Sequence, residues 1–142
     1  MSIFPTKILL ATDGSSEAQL AATTAADLAN ATTSELHVVH VGEFLPTFLA
    51  QTELDPSRLE REAREQLDQE VMRIEEAGGT VKEAHFRLGR ADEEIVELAE
   101  EIEAGLIVMG SRGHGRLRRA LLGGVSDAVV RHAHCPVTVV RE

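Results

Sequence analysis

The 142-residue sequence contains no tryptophan and no tyrosine, a single cysteine and only two lysines. The lone Cys135 permits no internal disulfide, which excludes a disulfide scaffold and agrees with a reducing compartment. No run of about eighteen apolar residues occurs, so a membrane-spanning helix is excluded. The Met1–Pro5 segment is too short for a signal peptide, and a cytoplasmic protein with no membrane partner is expected. With 24 Asp plus Glu against 14 Lys plus Arg, the formal net charge is −10, a balance that repels nucleic acid and disfavours it as a partner. Scarce lysine, abundant carboxylate and four phenylalanines as the only aromatics also suit a protein working in high salt. On that expectation its melting temperature rises between dilute and molar potassium chloride.

What is present is a well-mixed globular composition, 43% apolar, expected to form one domain over residues 1–142 and to bury roughly two thirds of its unfolded surface. Lys7–Ala11 is a short apolar run fitting a strand buried on both faces, broken by the turn and cap residues Thr12–Ser16. Ala18, Ala21, Ala22, Ala25, Leu28 and Ala29 then recur at helical spacing over about sixteen residues. Leu36–Val41 reads as a second strand, and Gly42–Thr52, without a clean period, as a mobile loop. Asp55-Pro56 opens a helix whose stripe is Leu59, Ala63, Leu67, Val71 and Ile74, stopped by Gly78-Gly79. Val81–Leu88 reads as a polar edge strand, followed by a helix with Ile95, Leu98, Ala99 and Ile102 inward, ended by Gly105. Leu106–Met109 is a fourth strand, a short helix reaches His132, and Pro136–Val140 is a fifth strand. This alternation predicts an α/β fold with a parallel sheet. Ligands in such sheets bind beyond the carboxyl ends of the strands; with strands one and four adjacent, Ala11, Thr12, Asp13, Met109 and Gly110 frame the crevice.

The fourth strand runs into the stretch that organises the chain. From Val108 to Ser126 it carries Gly110, Gly113, Gly115, Gly123 and Gly124 together with Arg112, Arg116, Arg118 and Arg119, a local reversal of sign in an acidic chain. Glycines let backbone N–H groups approach an anion, and the N-terminus of the following helix offers unpaired donors to a phosphate. The competing reading is a solvated surface loop. No G-x-x-x-x-G-K-[ST] occurs, and Arg118 stands where a dinucleotide fingerprint would have its third glycine.

Gly110-x-x-Gly113, nine residues, then Gly123 resembles the nucleotide-binding motif of the universal stress protein family. Lys7–Ser15 is similar to that family's opening strand, Val39-His40-Val41 to its second strand, and Val125–Val137 to its closing segment, so the likeness spans nearly the whole chain. The resemblance implies a doubly wound, open five-stranded parallel sheet of order 3-2-1-4-5, Rossmann-like and similar to the adenine nucleotide alpha hydrolases. It further implies a homodimer and a stress-response role with ATP as ligand, Mg or Mn being held through the phosphates. By position, Ala11, Thr12, Asp13 and Val41 would lie against the adenosine and Met109 and Gly110 near the ribose. Gly113, Gly123, Gly124, Val125 and Ser126 would hold the phosphates, with Arg112 beside them. One departure stands out: the family usually has Ser, Thr or Asn after the third glycine, and here that residue is Gly124. The missing hydroxyl is worth about 0.5 to 1.5 kcal/mol, so a retained but weaker hold on ATP is expected.

Asp13 reads as an adenosine contact or a helix cap, His114 as a solvated loop residue, and the remaining histidines as structural. Cys135 reads as buried and inert, and Leu117, Leu121 and Leu122 as packing for the loop. The arginines could stabilise charge, but no clear base accompanies them, so a regulatory ATP-binding dimer acting on an unknown protein partner is favoured over a slow ATPase. Gly124 keeps a nucleotide-free interaction protein as a further alternative. The dimer would pair the fifth strand, Val137–Val140, protecting an apolar edge.

Overall fold

A computed structural model of the protein describes residues 2–42, 56–111 and 124–142. Five strands form one parallel sheet: β1 (Lys7–Thr12), β2 (Glu35–Gly42), β3 (Val81–Leu88), β4 (Leu106–Gly110) and β5 (Val137–Val140). Their order is β3-β2-β1-β4-β5, so β1 lies between β2 and β4 and the chain reverses its direction of travel there. The expected strands recur within a residue or two at each end. The polar reading of Val81–Leu88 has its explanation in β3 standing at one edge of the sheet.

Alternation along each strand divides the core into two. Ile8, Leu10, Leu36, Val38, Leu106 and Val108 face helices α1 (Ser16–Thr32) and α2 (Pro56–Glu76). Leu9, Ala11, Val39, Ile107 and Met109 face α3 (Ala91–Ile102) and α4 (Gly124–His132). Both sides of β1 are covered, which is why its run is continuously apolar. The alanines of α1 are fully buried at Ala21 and Ala25 and bring that helix close to the sheet.

One boundary differs from the sequence reading. The α3 helix ends before Gly105: Glu103 takes the left-handed C-cap position at φ 59°, and Ala104 N–H returns to the Ala99 carbonyl at 2.8 Å. Gly105 is instead a close-approach residue, since a Cβ there would run into the Thr6 side chain. The cap of α1 is Ser15, whose hydroxyl accepts Ala18 N–H at 3.1 Å, while Asp13 accepts Ser15 N–H at 2.9 Å one step earlier. Gly78, at φ 103°, stops α2 as expected. Cys135 is half-buried, and burial pushes its thiol above its ordinary value, which suits an unreactive residue. The Gly42–Thr52 loop reading and Leu117, Leu121 and Leu122 lie outside the described residues, except Gly42, which ends β2. No helix among the described residues is long and apolar enough to cross a membrane.

Candidate functional site

The reversal of strand order places the ends of β1 and β4 side by side, with Leu10 in register with Val108 and Thr12 in register with His40 of β2. On the α3/α4 side, Ala11 and Met109 are buried, and half-buried Val41 and Val125 pack against the same cluster. These four, drawn from three strand ends and the first turn of α4, form an apolar floor at the carboxyl edge. Gly124 opens α4 and is exposed, so the N-terminus of that helix lies beside this floor. Arg112, Gly113 and Gly123 lie outside the described residues.

The opposite side of the same edge is polar and closely wired. Gly110 sits against α1, where a Cβ would come within 3.0 Å of Glu17 Cβ and 3.1 Å of the Glu17 carbonyl carbon. Just beyond it, Ser111 is held from three directions. Its N–H reaches the Val140 carbonyl at 2.9 Å and Glu17 Oε2 at 3.1 Å, its hydroxyl donates to the same carboxylate oxygen, and its carbonyl accepts the Ser126 hydroxyl at 2.8 Å. Glu17, Ser111 and Ser126 are 5%, 4% and 2% exposed, so this network is in a low-dielectric setting where each bond matters. The Ser126 hydroxyl proton is thereby committed to Ser111.

A second polar cluster caps β1 and β2. The Thr12 hydroxyl donates to Glu70 Oε2 of α2, and both residues are buried. Burial pushes the Glu70 carboxyl above its ordinary value, opposed by the Thr12 hydrogen bond and Arg73 and reinforced by Asp13. His40 is also buried and stacks on Phe86 at 6.2 Å between ring centroids. Desolvation lowers its pKa, and the Asp13 charge pulls the other way.

Sequence reasoning placed Ala11, Thr12, Asp13, Val41, Met109, Gly110, Gly124, Val125 and Ser126 at one locus, and the fold brings these nine to the same edge. It passed over Glu17, Glu70 and Ser111. For Glu70 a signal existed: it follows Leu67 by three residues and precedes Ile74 by four, so a carboxylate sits on the apolar stripe of α2. Glu17 reads as an ordinary first-turn acid complementing the helix dipole, and nothing nearby in sequence reveals its partner 94 residues away.

Comparison with known proteins agrees with this fold. Residues 5–141 match the universal stress protein family. A universal stress protein of Methanocaldococcus jannaschii, MJ0531, is 36% identical over 141 residues, covering 96% of this chain and 82% of its own. The solved structure of protein MJ0577 superposes with a TM-score of 0.81 at 28% identity, covering 99% of this chain and 98% of that one. A universal stress protein from Archaeoglobus fulgidus, solved in complex with dAMP, superposes with a TM-score of 0.71 at 25% identity, covering 98% and 99% of the two chains. The sheet order and the near full-length sequence match agree, and the chain belongs to the universal stress protein family.

Proposed function

We propose that this chain is a cytoplasmic, nucleotide-binding regulatory module of one domain, working as a homodimer and taking ATP at the β1–β4 crevice. The observation that carries this reading is the convergence of Ala11, Val41, Met109 and Val125 into one apolar floor beside the N-terminus of α4. A purine ring packs on such a floor, and the helix N–H groups and dipole favour the phosphates. The A. fulgidus relative with dAMP supports an adenine nucleotide as the ligand class. Within the described residues the phosphate hold rests on backbone N–H groups, because Gly124 has no hydroxyl and that of Ser126 already donates to Ser111. This favours a modest affinity, completed by Arg112, Gly113 and Gly123, with Mg or Mn carried on the phosphates. The module is proposed to signal occupancy to a protein partner rather than to catalyse.

The test is to denature freshly purified protein, identify any released nucleotide by chromatography, and titrate magnesium ATP into wild type and an Arg112→Ala, Arg116→Ala variant. Stoichiometric ATP that the variant loses supports the reading. Neither release nor binding up to millimolar ATP leaves a nucleotide-free interaction protein. For the dimer, β5 lies at an edge of the sheet with Val137–Val140 half-buried, and among the described residues no strand pairs with its outer edge. Val139→Lys is expected to give a monomer on sizing, and an unchanged dimer would place the interface elsewhere.

A further inference from the structure

We propose that Glu70 is a positioning residue for the nucleotide: through Thr12 and Gly14 it fixes the β1–α1 turn in the shape that faces the adenosine. This rests on the nucleotide reading above. The turn from Thr12 to Ser15 is braced internally by Asp13 and Ser15, whose side chains accept the Ser15 and Ala18 N–H groups. Its outer brace is α2. Thr12 donates to Glu70 Oε2, and Gly14, at φ 82°, lies so close to α2 that a Cβ would be 2.6 Å from Gln66 Nε2 and 3.4 Å from Glu70 Oε1.

A carboxylic acid on the apolar stripe of a helix is a poor packing choice, since a leucine there would bury without desolvating a charge. Glu70 is 6% exposed, and its Oε1 has no hydrogen-bond partner among the described residues. The same holds for Nδ1 of His40, the cross-strand neighbour of Thr12. Buried polar atoms left in this state point to a role other than stability. Thr12 gives that role a direction. Its side chain faces α2, while the preceding Ala11 faces the apolar floor, so the backbone between them is the wall separating the two sides. Holding the Thr12 hydroxyl fixes that wall from behind.

The experiment is calorimetric titration of magnesium ATP into wild type, Glu70→Gln, Glu70→Leu, Thr12→Val and the Glu70→Leu, Thr12→Val double variant. Amide exchange at residues 13–15 is measured alongside, without nucleotide. Losing a hydrogen bond to a charged group should weaken ATP about tenfold in Glu70→Leu and in Thr12→Val, with no further loss in the double variant. Glu70→Gln keeps an oxygen for the Thr12 hydroxyl and should restore affinity to within about threefold of wild type, whereas Thr12→Val, which keeps the side-chain shape and removes only the hydroxyl, should show the full loss, a pattern that a packing role would not give. The turn amides should exchange faster in the leucine variant and not in the glutamine one. If Glu70→Leu does not fold, Thr12→Val and Glu70→Gln carry the same comparison. Wild type that binds ATP, with Glu70→Leu or Thr12→Val binding equally well, overturns the positioning role alone. Wild type that binds no ATP overturns the nucleotide reading and this role together.

Discussion

The two sides of the sheet at the β1–β4 edge are built on opposite principles. Toward α3 and α4 the strand ends present Ala11, Val41 and Met109, small or aliphatic side chains that make no hydrogen bonds. Toward α1 and α2 the same strand ends carry Thr12 and His40, and beyond Gly110 lies Ser111; Glu70 bonds Thr12 and Glu17 bonds Ser111. Period-two alternation sends neighbouring residues to different sides, so a single strand end contributes both a surface and its support. Under the proposed function this contrast is a division of labour: the apolar side receives the flat ring of the nucleotide, and the polar side fixes the backbone that shapes it.

Breaking the polar side should cost stability first. Glu17→Ala removes the carboxylate that takes both the Ser111 N–H and its hydroxyl, and leaves that buried hydroxyl without its acceptor. A loss of about 2 to 3 kcal/mol is expected, read as a lowered denaturant midpoint at unchanged slope. A smaller effect is expected for Gly110→Val. Its new side chain meets the α1 backbone at Glu17 and Ala18, an overpacking that costs about 1 to 3 kcal/mol and shifts Ser111 with it. Gly110→Ala should fall between wild type and valine, and an alanine variant as stable as wild type would mean that α1 gives way easily.

How far this division could be read from sequence follows from the range of each interaction. The apolar runs of β1 and β4, the alanine face of α1 and the polar edge strand β3 were legible because burial writes a local period into the chain. The grouping of Ala11, Val41 and Met109 was legible too, since each sits at a strand end and strand ends are where open α/β sheets bind. The supporting side was not. Glu70 and Thr12 are 58 residues apart, and Glu17 and Ser111 are 94 apart, so neither pairing leaves a local trace beyond one acid on an apolar stripe. Gly105 shows the same limit in another form: a glycine after a helix reads as its stop, whereas its need here comes from Thr6 packed across from it.

The smallest expected effect sharpens the contrast through pH. Burial depresses His40, so its folded pKa lies below the ordinary 6.5. The unfolded chain therefore takes up the proton first on acidification. The His40 contribution is complete above about pH 6.5 and is lost as the pH falls toward the folded value. Glu70 has the opposite sign: its folded pKa is raised above 4.5, so its contribution is complete below that pH and is lost as the pH rises through the folded value. His40→Phe, which preserves the stack on Phe86, should therefore lose less stability than wild type between pH 7 and pH 5. Some slope should remain, because burial depresses His85 in the same direction. An identical slope in wild type and variant would show that His40 is not the group that titrates.

The most direct test of the central claim is a calorimetric titration of magnesium ATP into wild type and Ala11→Leu, with unfolding midpoints measured alongside. Ala11 is the small residue of the apolar floor, and under the proposed function a leucine there occupies the space of the adenine ring while leaving the polar side chains unchanged. The account predicts one ATP bound per chain in wild type and affinity reduced about tenfold or more in a variant that still unfolds cooperatively. Equal affinity in the two proteins, or no binding by wild type up to millimolar ATP, would contradict the placement of a nucleotide on this side of the sheet.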